Sequence, residues 1–215
     1  MPTAPPFHSV VADQEELRSI FRSPSRLVLD KAIDHLDHNC VSFLAHSPFV
    51  LIGSSDPAGP SDLSPKGGPP GFAKVLDPHR LAIGDLPGNN RIDTWRNVVA
   101  NPHVGLLFLI PGLGETLRVN GRAWLVRDDD VLDACAISGR RPPVALGVAV
   151  DEAFIHCAKA FRRSDLWDPQ RWPDRADMPT VACMLIDHVG IVGQTGEQVE
   201  AALEKGYEKT MWHDA

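Results

Sequence analysis

The run Leu117 to Val126 alternates in side-chain character along its length, and this constrains the fold more than any other feature of the chain. Successive side chains of an extended strand point to opposite faces. Leu117, Val119, Gly121, Ala123 and Leu125 therefore share one face, and Arg118, Asn120, Arg122 and Trp124 share the other. The first is a core face. The second carries two guanidinium groups roughly 7 Å apart by strand rise, a separation at which a phosphate or a second subunit could meet both. A solvated face of an antiparallel sheet shows the same alternation, so both readings stand on the strand alone. Two more apolar runs, Leu81 to Ile83 and Val104 to Ile110, are bounded by Gly or Pro, and residues 61–126 thus predict three strands. Phe49 to Gly53 predicts a buried first strand, with Ser54 to Pro60 turning the chain back as a hairpin. Ala145 to Ile155 predicts another, interrupted at Asp151 and Glu152.

The polar residues that punctuate these strands are of one kind: Lys66, Arg91, Arg118 and Arg122, with Ser64, Asn89, Asn90 and Asn120 among them. That is the inventory of an anion site. In the segment from Gly84 and Asp85 to Arg91 a strand leaves through a turn rich in Gly, Pro and Asn. Residues 91–100 then have helical spacing, with Ile92, Trp95, Val98 and Val99 as the apolar stripe. A strand, an amide-rich turn and a helix start beside a basic residue make a phosphate-binding geometry, because free N–H groups and the helix dipole point at one spot. Neither a P-loop nor a dinucleotide fingerprint is present.

The ordered set S-D-L-S-P-K-G, G-N-N-R, N-P-H-V-G-L-L-F and T-L-R-V-N-G-R-A resembles the pyridoxamine 5'-phosphate oxidase-related flavoproteins, the FMN-binding split β-barrel family, over roughly residues 47–172. The resemblance implies a mainly β fold: a six-stranded antiparallel Greek-key split barrel with peripheral helices, dimeric, with two FMN sites at the subunit interface. On this sequence it places Ser64, Pro65 and Lys66 along the flavin ring and Asn90 and Arg91 on the phosphate, with Gly84 and Asp85 in the strand end that leads there. Arg118 and Arg122 would add charge from a neighbouring strand. One departure stands out: S-P-K-G-G-P-P-G-F replaces the R-x-V-L-L-K run of true pyridoxamine phosphate oxidases, which removes their substrate from the implication but leaves the flavin.

The rest of the chain fits a single domain over residues 1–215, with an arm and helices in 1–46, the barrel in 47–157 and a helical segment in 158–215. The 43% hydrophobic composition suffices for one sizeable core. A net charge of -7 without a basic run argues against nucleic acid and anionic membrane as partners. The lack of a long apolar stretch and of an export signal predicts a cytoplasmic protein. Cys40, Cys135, Cys157 and Cys183 have no C-x-x-C spacing and read as reduced, buried structural thiols. His35 and His38 read as a solvated helix face, and no metal is assigned.

Pro2, Pro5 and Pro6 mark an arm. Asp13 with Glu16 is a capping-box pattern for a helix through Phe21, and Ser25 heads a second with apolar spacing to near Ala45, Asn39 being a candidate break. Asp128 to Asp130 open a helix to about Ser138, and Gly139 to Pro143 break the chain. After His156 come Lys159, Arg162, Arg163, Trp167 and Trp172. This segment reads either as aromatic and cationic cover for a flavin or as a surface helix with snorkelling side chains, and the resemblance favours the first. Helices follow from Pro179 to Val189 and from a Thr195 cap with Gln198 towards Met211, at the periphery or across a dimer.

The function expected is FMN-dependent oxidoreduction of a small molecule by a homodimer. The flavin carries the chemistry, Lys66 stands near the N1/C2 edge of the ring, and no side chain is assigned as catalytic. Two alternatives remain: a flavin carrier or sensor without turnover, and a barrel that uses F420 or haem. No nucleophile elbow or H-E-x-x-H motif supports a hydrolase.

Overall fold

The computed structural model describes residues 5–212, so the expectation for Pro2 lies outside the described residues. The chain divides into two compact units, Met1–Ala32 and Ile33–Ala215. The first holds two short helices, α1 (Gln14–Ile20) and α2 (Arg26–Asp30). The Asp13 carboxylate accepts from the Glu16 amide, and Glu16 accepts from the Ala12 amide one residue short of the usual box. Ser25 precedes α2 without capping it through its side chain.

The predicted helix from Ser25 to Ala45 is broken. Residues 31–37 separate α2 from α3 (His38–His46), because their backbone groups are used elsewhere. Ile33 exchanges both backbone bonds with Ala153, and the Leu36 amide donates to the Pro78 carbonyl. Asp37 then starts α3 by accepting from the Cys40 amide at 2.8 Å, one residue pair before the expected break at Asn39. Cys40 and Leu44 are the face that α3 buries.

Seven strands form one antiparallel sheet, one more than the six expected: β1 (Phe49–Ser55), β2 (Ser61–Gly67), β3 (Ala73–Asp77), β4 (Arg80–Gly84), β5 (His103–Leu109), β6 (Thr116–Val126) and β7 (Ala145–His156). Their order is β2, β1, β5, β6, β7, β4, β3. The β1–β2 hairpin and the β5–β6–β7 meander are local, while the chain crosses from β2 at one edge to β3 at the other. This is the mainly β split-barrel architecture with peripheral helices.

The alternation along β6 is realised as read. Leu117, Val119 and Ala123 are fully buried, while Arg118 and Arg122 are exposed. The inner row continues through Leu106 of β5 and Ile52 of β1, each paired with its neighbour across the sheet. Each such side chain withdrawn from water contributes about 1.5–3 kcal/mol. The expected interruption of β7 is a bulge: Asn120 pairs with Glu152 and Gly121 with Val150, which leaves Asp151 extra. The backbones close in there, and a Cβ on Gly121 would run into the Ala149 carbonyl oxygen.

The run Leu81 to Ile83 is apolar throughout because both its faces are covered. Leu81 and Ile83 join the main core, and Ala82 packs with Leu132 and Cys135. Leu132 belongs to α5 (Asp129–Ala134), shorter than the helix expected to Ser138. Between β4 and β5 lies α4 (Asp93–Ala100), which packs on β1, β2 and β6 with Trp95 and Val98 buried. The segment after β7 holds α6 (Lys159–Arg163), α7 (Val181–Val189, capped by Thr180) and α8 (Gly196–Thr210). A full capping box of Thr195 and Gln198 starts α8. Among the described residues no helix is long and apolar enough to cross a membrane.

Candidate functional site

The inner face of β2 is polar where its neighbours are apolar. Asp62, Ser64 and Lys66 are half-buried and alternate with the exposed Leu63 and Pro65. They face α4 instead of the core. Asn97 donates to Asp62 Oδ2 at 2.8 Å and to Ser54 Oγ at 3.0 Å, and the Lys66 ammonium lies 4.6 Å from the Trp95 ring centre. A cavity of 360 Å³ opens between strand and helix, lined by Ser64, Lys66, Asn89, Arg91 and Trp95 among others. A second, of 290 Å³, shares Ser64, Pro65, Lys66 and Asn89 and adds Gly84, Phe72 and Leu86.

The helix that closes this hollow begins abruptly. Asn90 and Ile92 both adopt left-handed backbone, with φ of 56° and 54°, and turn the chain on either side of Arg91. Asn tolerates that conformation, whereas for a β-branched residue it is strained by about 1–3 kcal/mol. No side chain caps the first amides of α4. The local charges are Lys66 and Arg91 against Asp62 and Asp93. Arg91 Nε donates to Asp93, which holds the guanidinium pKa above its already high ordinary value.

The remaining predicted residues lie elsewhere in the single chain. Arg118 pairs across the sheet with Leu107, Leu107 with Leu51, and Leu51 with Pro65, so Arg118 shares the outer face with Pro65, opposite Ser64 and Lys66. It donates to Asn120 at 3.0 Å and lies 5.5 Å from the Phe154 ring centre. Arg122 pairs with Asp151 at 3.5 Å. Within one subunit these two arginines therefore cannot add charge to the β2 hollow. Asp85 lines a different cavity with Arg140 and Arg141. Asn90 is exposed, and Asn89 takes the lining position beside Arg91.

Arg162 and Trp167 lie at the turn between β5 and β6, while Lys159 and Arg163 are exposed on α6. Trp167 donates to the Leu113 carbonyl at 2.9 Å and stacks on Phe161 at 5.7 Å, and with Arg162 it lines a separate cavity of 370 Å³. Cys157 and Cys183 are exposed, unlike Cys40 and Cys135, so the uniform burial expected of the thiols holds for two of the four. Among the described residues no group of three or more His, Cys, Asp or Glu is placed to hold a metal.

Sequence reasoning missed Asp62 and Trp95 as lining of this hollow. Asp62 was legible, since it continues the alternation of Ser64 and Lys66. Trp95 reads in the sequence only as part of an apolar stripe.

The fold and hollow define a class, a split-barrel protein with a pocket of mixed charge between an edge strand and the start of a helix. Residues 36–157, more than half of the chain, match the Pyridoxamine 5'-phosphate oxidase profile, and the chain belongs to this family, which includes flavin-related oxidoreductases. No curated protein matches it in sequence. Similar solved structures include Group A Streptococcus HupZ, 13% identical over 55% of this chain and 92% of that one, with TM-score 0.46. A protein from Clostridium acetobutylicum related to general stress protein 26 of B. subtilis is 12% identical over 54% and 83%, with TM-score 0.39. A FAD-binding protein from Mesorhizobium loti is 16% identical over 59% and 99%, with TM-score 0.37. All three are distant, and family membership rests on the profile match.

Proposed function

We propose that the chain is an FMN-dependent oxidoreductase whose cofactor lies along β2 with its phosphate at the start of α4. The carrying observation is that Ser64 to Lys66, with Asn89 and Arg91, far apart in the chain, wall one hollow. The donors suit the group. Lys66 offers an ammonium and Asn89 an amide, and the first amides of α4 lack a side-chain cap. A guanidinium has five N–H donors, so Arg91 can keep Asp93 and still meet a phosphate.

When bound, FMN supplies the transfer of electrons one or two at a time. The chain's residues would hold and surround it: Phe72 would limit the space beside the ring, Lys66 would donate at its edge, and Arg91 would anchor the phosphate. Asp62, fixed by Asn97, keeps the net charge of the hollow from becoming strongly positive.

We also propose that the working unit is a homodimer. Arg118 and Arg122 are exposed on the outer face beside Leu51 and Leu107, which are half-buried, and a two-fold axis would let one copy present this face to its partner's hollow. The free thiols fit a reducing compartment, in line with a cytoplasmic setting.

The test is titration of the purified chain with FMN followed by gel filtration. Retained flavin absorption at one FMN per chain is the expected result. Unchanged tryptophan fluorescence at saturating FMN, with no flavin in the protein peak, defeats the reading.

A further inference from the structure

The C-terminal helix α8 turns one face to the proposed flavin hollow. Leu203, Gly206 and Thr210 lie three and four residues apart on that face, and with Leu86 to Asn89 and Gly67 to Pro69 they bound a cavity of 840 Å³. It shares Gly67, Leu86, Pro87, Gly88 and Asn89 with the 290 Å³ cavity that touches Lys66, so the two have a common wall. The end of α8 is tied down, because Arg140 donates to the Trp212 carbonyl.

Two properties of this cavity stand out. No residue that lines it, among those described, is charged at neutral pH, in contrast to the lysine, arginine and two aspartates of the neighbouring hollow. A charged ligand would lose hydration there and find no opposite charge to offset the loss. The second is Gly206, inside a helix, where glycine is the least favourable residue after proline. Its φ is not positive, so backbone freedom is no reason for it. A Cβ at Gly206 would meet nothing within 4 Å, so close packing is no reason either. What the missing side chain leaves is room.

We propose that this cavity is the substrate side of the flavin site, that it takes a neutral, flat, apolar small molecule, and that Gly206 sets the size admitted. Tyr207 and Trp212 offer ring faces, and Pro69 and Pro87 rigid flat ones. The role as substrate side rests on the flavin reading; the ligand class rests on the lining alone.

The probe is menadione, a neutral naphthoquinone, with pyridoxamine 5'-phosphate as the charged comparison. Each is titrated into the full chain with and without FMN, saturable binding being read from tryptophan quenching and FMN affinity from flavin fluorescence. Menadione is expected to bind the wild type, and Gly206→Leu to weaken it by about tenfold or more, as filling a ligand's space does. Gly206→Ala is expected within about twofold of wild type, since one methyl takes little of the room. FMN affinity is expected to be unchanged in both variants. Should Gly206→Leu fail to fold, Leu203→Trp fills the same space from the preceding turn and must give the same loss. Failure of menadione to bind the wild type, binding of pyridoxamine 5'-phosphate as tight as menadione, or filled variants with wild-type affinity each overturn the proposal. A chain that binds no FMN defeats the flavin reading instead, and menadione titration of the FMN-free chain still decides the ligand class.

Discussion

Arg91 offers the most direct test at the scale of one side chain. A charge-assisted, bidentate contact is worth roughly 1.5–3 kcal/mol, so Arg91→Ala is expected to weaken FMN about tenfold or more. Riboflavin, which lacks the phosphate, should bind wild type and variant alike. Equal losses for both ligands would place Arg91 outside the phosphate site. A second residue-scale expectation concerns the bulge. Gly121→Ala puts a methyl against the Ala149 carbonyl, and urea denaturation should show a loss of about 2 kcal/mol or more, of the size overpacking produces. A midpoint equal to wild type would show that the two strands can part without cost. The cysteines divide in the same way: iodoacetamide should modify Cys157 and Cys183 in the native chain, and Cys40 and Cys135 only after unfolding. Burial, with the Asp37 carboxylate next in effect, pushes the Cys40 thiol up to about 11. The folded state favours the neutral thiol, so this contribution is complete below the ordinary thiol value near 8.5 and is lost as pH rises from there towards the folded value.

At the scale of the element, the caps decide where helices begin. Asp37→Ala should destabilise α3 by about 1 kcal/mol, the usual worth of an N-cap. The bond from the Cys40 amide holds the Asp37 carboxyl below its ordinary value. Its contribution is therefore present above about pH 4 and fades as pH falls through the folded value. Asp37→Asn should keep much of the cap and abolish that acid dependence, and thermal melts of the three chains between neutral and acid pH would show it. A chain whose Asn and Asp forms lose stability in parallel would refute the assignment. The same stretch shows a limit of local reading. Helical spacing from Leu29 to Leu44 is real in the sequence, yet Ile33 and Leu36 give their backbone bonds to Ala153 and to the chain at Pro78. Long-range pairing outweighs helix propensity there, and periodicity carries no sign of it.

For the whole molecule the decisive prediction is linkage between cofactor and assembly. If the outer-face arginines of one copy complete the hollow of the other, FMN must shift the monomer–dimer equilibrium by mass action. Sedimentation across a dilution series should show the FMN-loaded dimer persisting to lower concentration than the FMN-free one. A monomer that holds FMN as tightly as the concentrated sample would rule out the shared site and leave the flavin assignment intact.

What the sequence determined by itself is local: the two faces of β6, the strand at Leu81 to Ile83, the strand, turn and helix around Arg91, and the capping box of α8. These follow from short-range sterics and hydrogen bonding that repeat every two or 3.6 residues. What only the tertiary structure decided is company. Lys66 and Arg118 read as one cationic set in the sequence, but strand order sets them on opposite faces of the sheet. The aromatic and cationic segment after His156 folds back on the β5–β6 turn, while α8, whose capping box marks its start but not its neighbours, lines the cavity next to the hollow. Which elements meet depends on pairings between residues distant in the chain, and no periodicity encodes those.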